Sequence, residues 1–139
     1  MTRKFLNIVL CTVALAFAPL ASAVDIAIEP GKEKGSISLP SFERIMKENP
    51  AQILVVDVRD DREFKKGTIP GAINIPVGDI EKKMGELPKG KPIVFVCPTG
   101  ARSGEAYDTV MLLDGGVTAY FVDANITFSG GNEYSIKAR

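Results

Sequence analysis

Continuous apolar runs along the chain predict the strands of a buried sheet. The two clearest are residues 53–57 (ILVVD) and residues 93–97 (IVFVC), and shorter runs lie at residues 72–75 and 117–122. Apolar runs that do not alternate with polar residues are typical of strands covered on both faces. A further edge strand is predicted near Ile37, in a segment otherwise broken by glycine, lysine and proline.

Between these runs, apolar residues recur at helical spacing. Phe42, Ile45 and Met46 stand at i, i+3 and i+4, which predicts a helix that Ser41 caps and Pro50 ends. The same spacing predicts a longer helix after the second clear run. The further helical predictions are residues 60–67 (one turn), residues 79–87 and residues 103–114.

The order of these elements indicates the fold class. Strands that alternate with helices are typical of an α/β domain, with a mainly parallel central sheet flanked by helices on both faces. Functional sites in such sheets form at the carboxyl ends of the strands, which is where Cys97 stands. Residues 123–139 show no clear period, and we predict no element there.

The first 23 residues are typical of a secretory signal peptide. A short basic start (MTRK) is followed by an apolar run and by a small-residue cleavage pattern (ASA) at residues 21–23. We therefore expect cleavage before Val24, an arm at residues 24–36, one domain at residues 37–139, and no stable membrane insertion afterwards. The expected location is the bacterial periplasm. The alternative is a retained membrane anchor, which the short and interrupted apolar run disfavours.

The charge balance does not indicate a nucleic-acid partner. The sequence has 17 basic and 17 acidic residues, and loss of residues 1–23 would remove Arg3 and Lys4, leaving 15 against 17 and a formal charge of −2. No stretch is strongly basic, so we expect no binding to nucleic acid.

The residue types present narrow the possible chemistry. The sequence contains no histidine, which excludes Cys-His proteases, Ser-His-Asp hydrolases and histidine-ligated metal sites. We expect neither a metal nor another cofactor. Cys97 is the only cysteine after residue 23, and an unpaired cysteine in an exported protein indicates a reactive thiol or an intermolecular bond.

The segment after Cys97 is suited to stabilise a thiolate. It connects a strand to the start of a helix, where unpaired backbone N–H groups carry positive potential. Gly100 and its small neighbours would let these amides converge on one sulfur, and Arg102 adds a two-pronged donor for an oxyanion. The alternative is a buried cysteine before an ordinary turn. The predicted active loop consists of Cys97, Pro98, Thr99, Gly100, Ala101, Arg102 and Ser103, with Ser103 as the helix cap.

Two stretches of the chain resemble the rhodanese-like domain family. The match runs from about Ile37 to Val122. Residues 54–76 (LVVDVRDDREFKKGTIPGAINIP) are similar to its first signature, and residues 94–103 (VFVCPTGARS) are similar to its active loop. The resemblance implies a parallel sheet flanked by helices and transfer of sulfane sulfur through a persulfide on Cys97. It also implies small partners: thiosulfate or a polysulfide as donor, and cyanide, a thiol or a protein thiol as acceptor.

The resemblance assigns supporting roles to Asp57 and Arg59. The sequence also departs from the family's usual pattern at two places. Asp57 is expected to hold neighbouring loop amides and Arg59 to pair nearby; the alternative is that Asp57 only caps the next turn. Thr68 stands where the family often has histidine. Ala124 and Asn125 replace a glycine pair that usually follows the last strand.

Two other functions remain open at this point. The first is a non-enzymatic module of the same family that carries sulfur or binds a partner. The second is a cysteine phosphatase, which needs five residues between cysteine and arginine to cradle phosphate. Four residues separate Cys97 from Arg102, and the smaller loop favours sulfur.

Overall fold

Four short parallel strands form the centre of the fold. The computed structural model describes residues 25–139, so the predicted signal peptide lies outside the described residues. The strands are β1 (Leu54–Asp57), β2 (Ile73–Asn74), β3 (Ile93–Val96) and β4 (Ala119–Phe121). Each neighbouring pair of strands is parallel, and the order across the sheet is β2-β1-β3-β4.

The register of the sheet brings two functional segments to the same edge. Asp57 at the end of β1 lies opposite Val96 at the end of β3. The residues that follow the two strands, among them Arg59 and Cys97, therefore leave the sheet side by side. This is the edge at which parallel α/β sheets form their sites.

Helices cover both faces of the sheet, as the sequence predicts. The helices are α1 (Leu39–Glu48), α2 (Asp61–Lys66) and α3 (Ala101–Leu113), with 3-10 turns at Pro50–Gln52, Val77–Asp79 and Met84–Glu86. The face covered by α1 contains Phe42 and Ile45, which pack with Val94 of β3. On the opposite face, Ala106 and Val110 of α3 pack with Phe95.

Two helical predictions are wrong in detail. The cap of α1 is Ser38 rather than Ser41, because the Ser38 side chain accepts the Ser41 amide at 3.3 Å. Residues 79–87 form no α-helix but contain one full 3-10 turn and the end of another. Gly85 weakens helix formation there, and the proline after Leu87 disfavours the helical conformation of that residue.

The N-terminal arm meets the edge of the sheet beside β4. The Ile37 amide donates to the Phe121 carbonyl at 3.0 Å, and the Phe121 amide donates to the Gly35 carbonyl at 3.1 Å. The predicted edge strand near Ile37 is therefore a short bridge between Ser36 and Phe121 rather than a full strand. No helix within residues 25–139 is long and apolar enough to cross a bilayer.

The tail, for which we predict no element, forms an antiparallel hairpin. Its strands are β5 (Ala124–Gly130) and β6 (Glu133–Ala138). Ala124 and Ile126 are buried against the α1 face of the core, whereas Asn125 and Thr127, which alternate with them, are exposed. The hairpin thus completes the core from Ala124 onward, at the place where the resemblance implies a glycine pair.

The turn of the hairpin lies against the segment that follows α2. The Gly131 amide donates to the Lys66 carbonyl at 3.2 Å, and the Thr68 amide donates to the Gly131 carbonyl at 2.9 Å. A Cβ atom on Gly67 would lie 2.7 Å from the Gly130 Cα atom. Glycine at position 67 is therefore what allows the two backbones to approach.

Candidate active site

Cys97 lies at the base of a loop that leads directly into α3. The residue follows β3 and is fully buried. The Ser103 amide, in the first turn of α3, donates to its sulfur at 3.4 Å. The positive end of the helix and one backbone donor are thus directed at the Cys97 sulfur.

Ser103 has a different role from the predicted one. The helix begins at Ala101 with Gly100 at the cap position, so the prediction that Ser103 caps α3 is wrong. Its hydroxyl donates to the Gly100 carbonyl at 3.1 Å and accepts from the Cys97 thiol at 3.4 Å. Ser103 therefore links Gly100 to Cys97 inside the loop, with its hydroxyl next to the sulfur.

Gly100 occupies a position that only glycine fits without strain. Its φ angle is +85°, in the left-handed region. A Cβ atom there would lie 2.8 Å from Oδ1 and 3.2 Å from Cα of Asp123. The loop turns sharply at Gly100 because this residue has no side chain.

We expect Gly100→Ala to damage the loop. The left-handed conformation costs an L-residue about 1–2 kcal/mol, and the added methyl group must displace Asp123. The sulfur-transfer activity that the resemblance implies should fall about tenfold or more, because small misplacements of reacting groups are costly. Gly90→Ala is the matched control, since nothing lies within 4 Å of its Cβ position. Equal activity of the two variants would contradict this account of the loop.

Arg102 is held by a residue that the sequence reasoning missed. Its guanidinium donates to both carboxylate oxygens of Glu63 on α2, at 2.7 and 3.2 Å. The hydrogen bond from Arg102 lowers the pKa of Glu63, and the hydrogen bond to Glu63 raises the pKa of Arg102. The pair stays ionised and ties α2 to the active loop. Sequence spacing carried no signal for it, because the partners are 39 residues apart.

Asp57 and Arg59 form a buried ion pair beside the loop. The Asp57 carboxylate accepts from Arg59 Nε at 2.9 Å, from Arg59 Nη2 at 2.6 Å and from the Arg59 amide at 3.0 Å. Thr68 Oγ1 donates to it at 2.8 Å. Among the hydrogen bonds of residues 25–139, none joins Asp57 to the loop at 97–103. The pair supports the neighbouring chain segment, and the only loop amide that Asp57 holds is that of Arg59.

Arg59 connects this pair to the hairpin. Its Nη2 atom also donates to the Gly67 carbonyl at 2.6 Å. Its guanidinium carbon lies 3.5 Å from the centre of the Phe128 ring on β5, a cation–π contact. The hairpin thus packs on the first signature segment through Phe128.

The hairpin also contacts the active loop itself. The Ile126 amide donates to the Pro98 carbonyl at 2.8 Å. Arg139 Nη1 donates to the Thr99 carbonyl at 3.0 Å and pairs with Asp123 at 2.9 Å. Two consecutive carbonyls of the loop, those of Pro98 and Thr99, are therefore held from this side.

The arrangement suits nucleophilic chemistry by a thiolate. It provides a buried sulfur, an amide donor and a nearby ion-paired arginine, with a serine hydroxyl in place of a histidine. Within residues 25–139, no group of cysteine and acidic side chains is placed to hold a metal ion.

Comparison with known proteins identifies the family. The family model described as "Rhodanese-like domain" matches residues 38–124. The chain belongs to the rhodanese-like domain family. Among curated proteins, it is 46% identical over 52 residues to YtwF of Bacillus subtilis, which is named as a candidate sulfurtransferase. That match covers 37% of this chain and 50% of YtwF.

Two further relatives extend the comparison. The chain is 33% identical over 76 residues to the thiosulfate sulfurtransferase GlpE of Shewanella oneidensis, covering 49% of this chain and 75% of GlpE. A rhodanese-related protein of Thermoplasma volcanium has a similar structure, with a TM-score of 0.52 and 30% identity over 58% of this chain and 78% of the other. The fold prediction is confirmed, and the relatives named as sulfurtransferases place the chain among proteins of sulfur chemistry.

Proposed function

We propose that the protein is a sulfurtransferase that moves sulfane sulfur from a donor to a thiophilic acceptor through a persulfide on Cys97. The donor is thiosulfate or a polysulfide, and the acceptor is cyanide or a thiol. The observation that carries this proposal is the position of the Cys97 sulfur at the positive end of α3, 3.4 Å from the Ser103 amide nitrogen. The names of YtwF and GlpE support the same class of reaction.

The first step loads the sulfur. The Cys97 thiolate attacks the outer sulfur of thiosulfate and a new S–S bond forms. The bond between the two donor sulfurs breaks, and its electron pair leaves with sulfite. The Ser103 amide and the end of α3 favour the negative sulfur of the reactant and of the persulfide product, in the manner of an oxyanion hole.

The second step regenerates the thiolate. A nucleophilic acceptor attacks the outer sulfur of Cys97–S–S⁻, and the electron pair of the broken bond returns to the Cys97 sulfur. Cyanide would leave as thiocyanate and a thiol as a persulfide. The two half-reactions share one covalent intermediate, so the kinetics should be ping-pong.

Mass spectrometry of the protein after incubation with thiosulfate tests this proposal. We expect a gain of one sulfur atom, located on the peptide that contains Cys97, and its loss when cyanide or a small thiol is added. A persulfide that no small acceptor removes would instead favour a sulfur carrier that serves a protein partner. Absence of the sulfur, together with hydrolysis of p-nitrophenyl phosphate that depends on Cys97, would replace the proposal with a phosphatase.

A further inference from the structure

We propose that Glu63 determines which sulfur donors the site accepts, by neutralising Arg102. The site then favours donors that carry at most one negative charge, such as an organic persulfide, over the thiosulfate dianion. This inference rests on the proposed sulfur transfer at Cys97 and adds to it the class of donor.

The first support is the geometry of Arg102. The arginine is the only cation within the active loop, and both of its terminal nitrogens face the Glu63 carboxylate at 2.7 and 3.2 Å. Its side chain is 35% exposed and that of Glu63 is 37% exposed, so the pair stands at the surface where a donor would arrive. The carboxylate therefore already occupies the two-pronged donor that would otherwise bind a sulfonate.

The second support is that the other arginines around the loop are also paired. Arg59 is bound to Asp57 at 2.6 Å, and Arg139 is bound to Asp123 at 2.9 Å. Like Arg102, each of these two arginines thus has its own carboxylate, so none of the three is free to attract a dianion.

Two further charged residues, Asp60 and Lys66, contribute to the net charge on the Glu63 side of the site. Asp60 is close enough that its charge contributes to the raised pKa of Arg102. Lys66 lines a cleft of about 310 Å³ that also includes Arg59, Glu63 and Phe128, and within residues 25–139 it forms no ion pair. Asp60 and Lys66 carry opposite charges that offset each other, so together they add no net attraction for a dianion.

The net charge beside Arg102 matters because the nucleophile is itself an anion. Thiosulfate brings two negative charges to a thiolate, and their repulsion is reduced only if a cation lies close by. An organic persulfide, R–S–SH, brings at most one. The Cys97 thiolate would attack its outer sulfur, forming one S–S bond and breaking another, while R–S⁻ leaves with the electron pair and the proton stays on the transferred sulfur.

Glu63→Gln isolates the charge from the shape of the side chain. Glu63 is also part of the capping box of α2, where its Oε2 atom accepts the Asp60 amide at 3.2 Å. Glutamine supports the same capping pattern, so the helix should form normally. The matched control is Asp61→Asn, which removes one negative charge from the same helix, where Asp61 pairs with Lys65 at 2.6 Å.

The experiment compares kcat/KM for two donors, thiosulfate and the persulfide of 2-mercaptoethanol. In Glu63→Gln we expect the thiosulfate value to rise at least about fivefold, while the persulfide value changes less than about twofold. Asp61→Asn should leave both values within about twofold of wild type. An equal fall for both donors would reduce Glu63 to a structural role, and an unchanged thiosulfate value would also overturn the inference.

A second measurement needs no variant. In the wild type, the rate of persulfide formation from thiosulfate should stay constant or rise as salt is increased from about 20 to about 200 mM, because screening cannot weaken an attraction that is absent. A severalfold fall would show a net cationic site and overturn the inference. If neither donor loads sulfur on the wild type, the proposed function fails; if both load it without the expected charge effects, only this inference fails.

Discussion

The Cys97→Ser variant is expected to lose sulfur transfer completely. Serine can accept the Ser103 amide in the same position, but its oxygen cannot form a persulfide, so neither half-reaction can proceed. We expect no gain of sulfur by mass spectrometry and no thiocyanate above the uncatalysed background. The loss should exceed that of Gly100→Ala, because it removes the covalent intermediate itself.

The control for this variant is its stability. Cys97 is fully buried and packs in the core on the α3 face. A serine hydroxyl there has two partners in reach, the Ser103 amide and the Ser103 hydroxyl, so thermal unfolding should remain cooperative. Residual turnover in a folded Cys97→Ser protein would place the nucleophile elsewhere.

The Asp57→Ala variant is expected to lose about 3–5 kcal/mol of stability, the usual cost of leaving one member of a buried ion pair without its partner. Side-chain exposure is 0% for Asp57 and 5% for Arg59, so water cannot replace the lost carboxylate. Thr68 loses an acceptor in the same change. A domain with a total stability of about 5–15 kcal/mol would lose a large fraction of it. Denaturant unfolding measures the effect directly.

A second substitution distinguishes a buried charge from a lost contact. Adding Arg59→Met to Asp57→Ala removes the unpaired cation and should recover part of the lost stability, although the contact with the Gly67 carbonyl is also lost. If the double variant is less stable than Asp57→Ala by the full cost of a second deletion, the charge is not the source of the effect.

The strands and the position of the thiol could be predicted because their signals are local. Residues 53–56 and 93–97 are apolar without interruption, as strands covered on both faces must be, and the structure places β1 and β3 on these two runs, with Asp57 at the end of β1. Cys97 directly follows one run and precedes a helical period. Its place at the edge of the sheet then follows from topology alone.

The partners of the loop could not be predicted because they are distant in sequence. Nothing in the spacing of residues 60–67 indicates that Glu63 faces Arg102 rather than a neighbour on its own helix. The role predicted for Ser103 is wrong for a different reason, which is the backbone conformation of a neighbouring residue. Serine at the start of a helical pattern is a common cap, but Gly100 adopts φ +85° and starts the helix earlier.

The sequence pattern of the hairpin is too short to distinguish a strand from an irregular tail. Residues 124–129 (ANITFS) alternate between apolar and polar side chains, and Gly130 and Gly131 supply a turn. Such a run is also compatible with an irregular tail. What stabilises it as a strand is the burial of Ala124 and Ile126 and the contact of Phe128 with Arg59, none of which a local pattern contains.

The position of the hairpin means that the active loop is not a portable unit. Part of the loop is stabilised by contacts among its own residues. The Pro98 and Thr99 carbonyls, however, accept hydrogen bonds from the Ile126 amide and the Arg139 guanidinium. Moving residues 97–103 into another strand-helix connection would transfer the cysteine and the arginine without these contacts. A designer who wished to transplant this chemistry would have to carry over β5 and β6 as well, together with the Gly67 position on which their turn rests.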